Sequence, residues 1–174
     1  MKTVCIALLL CIISGCTTLP VKPSQPVSII NPAKGNAAIY IFRSELDRIR
    51  KSDSPELFID GKLIAQLPHA SYTRVELPIG KHSLKLSPKK DESEIWNTEA
   101  AFELTREDIY FVTIWNSNQP RKAVAYVPIV IPGLLGLLPI YGADSGMEPG
   151  AAFEAVDRET GEFSLTGLIY VPAQ

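Results

Sequence analysis

The chain reads as mainly β, an antiparallel β-sandwich, and three features of Glu56 to Pro88 carry that reading. The first is Asp60-Gly61 between the apolar runs ELFI and KLIAQL. An Asp-Gly pair so placed predicts a two-residue hairpin, because a type I′ turn needs positive φ at both central residues. The second is Pro78-Ile79-Gly80-Lys81 between YTRVEL and HSLKL, where proline presets one corner and glycine supplies a permissive one. The third is strict alternation around that second turn. Tyr72, Arg74 and Glu76 oppose Thr73, Val75 and Leu77, and His82, Leu84 and Leu86 oppose Ser83, Lys85 and Ser87. Period two is the mark of half-buried antiparallel strands, and it predicts that the second turn also closes a hairpin.

From the start of the chain, Met1-Lys2 is a short basic region and Val4 to Ile13 an apolar one, too short to span a bilayer as a helix. Ile13-Ser14-Gly15-Cys16 follows and resembles a bacterial lipobox. Residues 1–15 are expected to be a lipoprotein signal peptide, with Cys16 the lipidated N-terminus of the mature chain. Of the three cysteines, Cys5 and Cys11 lie in the removed peptide, so the mature chain has no disulfide framework. Multiple acyl chains anchor stably where one does not. Thr17 in place of aspartate favours the outer membrane of a Gram-negative cell, with the domain facing the periplasm. Residues 16–34 read as a flexible tether, broken by Pro20, Pro23, Pro26 and Pro32. Residues 35–174 are expected to form a single domain, an ordinary size for one core.

Gly35 to Arg43 predicts the first strand, and bulk on both parities predicts a central one. Ser44 to Pro55 is a charged connection, either solvated or a binding loop. Lys89 to Glu94 is a charged turn, Ile95 to Leu104 a strand, and Ile109 to Asn116 another, rich in residues that suit a pleated surface. From Ala123 to Gly142 the chain carries no charge. Pro128, Pro132 and Pro139, with Gly133 and Gly136, speak against a simple spanning helix. Three readings compete: a strand near Val124 to Ile131 followed by an apolar loop packed on the sandwich, a loop that dips into lipid or docks a partner, and a spanning helix. The expectation is a strand and then a proline-broken apolar excursion from Pro132 to Tyr141. Its Leu134, Leu135, Leu137 and Leu138 are the candidate membrane or partner contact. Gly150 to Pro172 predicts a final hairpin turning at Arg158 to Gly161, with a short helix at Ala151 to Arg158 as the alternative.

The "DGK … LP-x-G-x-H-x-L" pattern of Asp60 to Leu84 resembles PEGA-like modules. Together with the strand Ala37 to Arg43 it resembles the DUF2846 family of bacterial lipoproteins, over roughly residues 35 to 116. The resemblance implies a β-sandwich of immunoglobulin-like or prealbumin-like type and implies no activity.

The formal net charge of −2 argues against a nucleic-acid partner, and no glycine-rich phosphate loop is present. The two histidines, His69 and His82, lack metal-ligand spacing and read as surface or strand-edge residues. No Gly-x-Ser-x-Gly elbow occurs, and the adjacent carboxylates Asp91-Glu92 and Glu107-Asp108 read as solvated turns. No catalytic residue, metal or cofactor is implied. The aromatic residues, spread through the expected strands, read as core. The expected function is a lipid-anchored, non-enzymatic interaction or accessory module of the envelope, meeting an envelope protein or a cell-wall partner. The alternative is a hydrolase acting on an envelope polymer.

Overall fold

The computed structural model describes residues 27–46, 50–120, 123–131, 134–141 and 147–174, with the backbone alone described over 116–149. Among the described residues eleven strands and one α-helix follow in chain order. They are β1 (Asn36–Arg43), β2 (Glu56–Ile59), β3 (Lys62–Gln66), β4 (Ser71–Pro78), β5 (Gly80–Ser87), β6 (Thr98–Leu104), β7 (Ile109–Pro120), β8 (Ala123–Ile131), β9 (Leu134–Tyr141), β10 (Met147–Val156), α1 (Arg158–Leu165) and β11 (Ile169–Tyr170). A five-stranded sheet runs β10-β7-β1-β4-β11 and a six-stranded sheet β3-β2-β5-β6-β9-β8. The fold is therefore mainly β in two sheets, as expected of a sandwich. The six-stranded sheet is antiparallel throughout. The five-stranded one is mixed, with β1–β7 and β11–β4 parallel.

The core lies between the sheets. Ile39 and Ile41 of β1, Leu57 and Ile59 of β2, Leu84 and Leu86 of β5, Leu104 of β6 and Val112 and Ile114 of β7 form one buried cluster. The other parity of β1 and β7 builds a second cluster on the outer face of the five-stranded sheet. There Ala38, Tyr40, Phe42 and Phe111 are covered by Leu165 of α1 and by Val27 and Ile29. Bulk on both parities of β1 thus has the expected meaning: β1 is the middle strand, buried on both sides.

Asp60-Gly61 closes the two-residue hairpin. Ile59 pairs with Lys62, and φ is +50° at Asp60 and +76° at Gly61, the type I′ geometry. The second turn is different. β4 and β5 lie in different sheets, so Pro78–Lys81 is a crossover between layers and not a hairpin. β4 pairs with β1 and β11, and β5 with β2 and β6. Alternation reports that each strand has one apolar face. It carries no information about which neighbour completes the ladder.

Three further expectations are corrected. The excursion from Pro132 to Tyr141 is not a loop over its described part: Leu134–Tyr141 is β9, paired to β8 along its length and to β6 at Leu134, Leu135 and Gly136. Pro139 is tolerated because it lies beyond the β6 pairing, where β9 has a ladder on one side only, and Pro128 lies in the sheet's edge strand. Among the described residues no helix is long and apolar enough to cross a membrane. The tail, in turn, is not a hairpin. β10 is followed by α1, and the return is the two-residue β11, parallel to β4. Asp157 caps the helix, accepting the Thr160 N–H at 2.9 Å and its hydroxyl at 2.7 Å. Residues 89–96 form a turn and a single 3-10 turn, Glu94–Trp96, so the expected strand from Ile95 begins at Thr98.

Candidate functional site

Cys16 lies outside the described residues. The four leucines of the uncharged run lie in β9, where the register divides them. Leu134 stands opposite Leu104, a core residue, and Leu135 opposite Glu103. By strand periodicity Leu134 and Leu138 take the parity of the inter-sheet core, and Leu135 and Leu137 take the outer parity. On that outer parity β5 and β6 carry charge, with Lys85 opposite Glu99. Toward the sheet edge the register then sets Leu135 opposite Val130, Leu137 opposite Pro128 and Pro139 opposite Tyr126. The outer parity thus changes from charged to uncharged across one sheet.

The structure also brings together a pair that sequence reading left apart. His82 of β5 and Asp60 of the β2–β3 turn meet at 2.7 Å, Nδ1 to Oδ2, while His82 Nε2 lies 2.8 Å from the Pro78 carbonyl oxygen. The imidazole is 5.6 Å from the Phe102 ring, and its side chain is 7 % exposed, which corrects the surface reading of His82. Asp60 accepts the Ser83 N–H at 2.8 Å with its other oxygen. Burial alone would raise the Asp60 carboxyl, but the His82 and Ser83 hydrogen bonds outweigh it and hold the group below its ordinary value. Both ring nitrogens face acceptors, so both contacts are hydrogen bonds only when each nitrogen carries a proton. A general base needs a free nitrogen directed at a substrate proton. Here Nε2 is occupied by Pro78, and the pair acts as a clamp between hairpin turn and crossover. The legible signals were the Asp-Gly turn and the histidine two residues after Gly80; only the pairing of β2 with β5 joins them.

The charged connection after β1 is anchored from within. The fully buried Arg43 donates to the Asp53 carbonyl at 2.6 Å and to the Arg50 carbonyl at 2.7 Å. Its guanidinium lies 4.2 Å from the Trp96 ring centroid. Trp96 Nε1 donates to the Asp53 carboxylate at 2.9 Å. Burial pushes the Asp53 carboxyl up, but the hydrogen bonds from Trp96, Ser93 and Ser52 bring it below its usual value. Glu92 accepts the N–H of Ser54 at 2.6 Å and of Lys89 at 3.2 Å, and Glu107 accepts the N–H of Gly35 at 2.8 Å. These carboxylates tie segments together. Among the described residues no three His, Cys, Asp or Glu side chains gather as a metal site would require.

An aromatic row crosses the outer face of the five-stranded sheet. Phe111, Tyr40, Tyr72 and Tyr170 follow one another at centroid distances of 5.4, 6.3 and 5.3 Å. It runs from the buried Phe111 to the half-exposed Tyr170. No protein-family model, curated protein or solved structure matches the chain.

Proposed function

We propose that the protein is a lipid-anchored envelope lipoprotein on the periplasmic side of the outer membrane, acting as a non-enzymatic interaction or accessory module. The observation that carries this reading is the uncharged hairpin β8–β9 added at the edge of the six-stranded sheet. Its outer parity continues a charged sheet surface with Leu135, Leu137, Pro128 and Tyr126. An uncharged run at the outer register positions of an edge hairpin suits a contact with a partner. The lipobox at Ile13 to Cys16 supports the anchor, and an anchored domain meets an envelope partner at raised effective concentration. The alternative, a hydrolase on an envelope polymer, would need a base that His82 does not offer, since both its ring nitrogens are engaged.

Two measurements test the reading. Cys16→Ala should leave an uncleaved precursor that takes up no labelled palmitate, and normal processing in that variant would remove the lipoprotein. Cross-linking in cells before mild detergent extraction should capture an envelope protein or cell-wall component. Joint Leu135→Ser and Leu137→Ser should lose that capture and keep the fold. Joint Leu134→Ser and Leu138→Ser should mainly cost stability. Capture that survives the outer-parity pair would place the contact elsewhere.

A further inference from the structure

The two layers of the sandwich differ in how the chain leaves them. Before β1, the chain crosses the outer face of the five-stranded sheet: Val27 and Ile29 pack on the Tyr40–Phe111 cluster. The Ile30 N–H donates to the Tyr40 hydroxyl at 2.9 Å, and Arg74 donates to the Ile30 carbonyl at 3.2 Å. Val27 is eleven positions after Cys16, and a chain of that length reaches at most about 40 Å fully extended and about 34 Å as a proline-rich spacer. An acylated Cys16 therefore ties the entry of the chain onto this face within one tether length of the bilayer.

The same layer carries exposed apolar side chains on separate elements. Ile30 is 54 % exposed, Tyr170 51 % and Phe163 80 %. Gly161 and Leu165 are the buried residues of α1, so Phe163, two positions from each, lies on the side of the helix away from the sheet. Two nearby pairs of charges are matched, Arg74 with Glu76 and Arg158 with Glu162, each at 2.6 Å, while Glu159 of α1 is exposed. Asp157 is spent on the helix cap. Tyrosine and phenylalanine suit an interface that is apolar on one side and wet on the other.

We infer that the outer face of the five-stranded sheet, with α1 and Val27–Ile30, is an interfacial lipid-binding surface that rests Phe163 and Tyr170 on the leaflet holding the acyl chains. This orientation rests on the lipoprotein reading and leaves hairpin β8–β9, in the other sheet, for the partner. The test uses the full acylated chain in zwitterionic phosphatidylcholine vesicles with and without brominated acyl chains. The native tryptophans are Trp96, fully buried, and Trp115, half-exposed. A Trp115→Phe background therefore leaves only a shielded emitter. Phe163→Trp in that background should shift to the blue and lose most of its added emission to brominated lipid. Lys85→Trp, on the exposed side of the opposite sheet, should be unaffected. Equal quenching at both positions, or none at Phe163→Trp in a chain that floats with the vesicles, overturns the orientation and leaves the anchor standing. A chain that neither incorporates palmitate nor floats overturns both. Quenching at Phe163→Trp that persists when lipid is replaced by detergent without bromine would be self-quenching and also counts against it.

Discussion

His82 Nδ1 lies 2.7 Å from Asp60 Oδ2, and this contact joins a hairpin turn to a strand 22 residues on. The same ring reaches the Pro78 carbonyl, so one side chain holds the β2–β3 turn, β5 and the crossover from β4. Asp60 is half-exposed, which limits what the pair contributes. His82→Ala should cost about 1–2 kcal/mol in urea unfolding. A double cycle with Asp60→Asn should show coupling, because the amide leaves one acceptor oxygen for the two donors His82 and Ser83 and removes the charge that His82 meets. The Asp60 carboxyl is depressed in the folded state. Its contribution is therefore present above the unfolded value of about 4 and lost as pH falls through the folded one. Between those two values the parent should lose stability with falling pH more steeply than Asp60→Asn. Parallel acid limbs would mean that Asp60 does not feel the clamp.

Gly161 of α1 sits directly on Phe111, and a Cβ there would lie 2.2 Å from the Phe111 Cγ. The neighbour is a ring packed in the outer cluster and cannot swing aside. Gly161→Ala should therefore destabilise by about 2 kcal/mol or more, against the small gain that the change brings in an open helix. Phe111→Leu should cost less in that variant than in the parent. Additive losses would show that the helix moves off the sheet freely.

Arg43 is fully buried, with its guanidinium on two carbonyls and the Trp96 ring. Lysine cannot reproduce the planar fork or the stacking. Arg43→Lys is expected to lose about 2–4 kcal/mol and to speed proteolysis within Ser44–Pro55. Unchanged cleavage in that segment would mean the arginine does not order it.

Gly61 holds φ at +76° in the two-residue turn. Gly61→Val puts a β-branched residue there and should cost roughly 1–3 kcal/mol. Gly61→Asn, which tolerates the left-handed region, should cost clearly less. The pair of urea midpoints checks the turn type.

What the sequence determined by itself is local or strongly periodic. Asp60-Gly61 specified its turn because the constraint is on two φ angles and needs no partner. Gly35 to Arg43 revealed a central strand because both parities are bulky, and a strand covered on both sides has nowhere else to be. Tertiary structure decided the rest. β4 and β5 alternate alike, yet they separate into different layers, because pairing depends on neighbours such as β1 and β2 that come from elsewhere in the chain. Pro132 to Tyr141 looked like a broken loop, and Pro139 became acceptable only because the pairing of β9 with β6 ends at Gly136. Arg158 to Gly161 looked like a turn, but the Asp157 cap and the contact of Gly161 with Phe111 made it a helix resting on β7. His82 and Asp60 were visible as residues. Their meeting depended on the β2–β5 ladder, which converts a separation of 22 positions into a hydrogen bond.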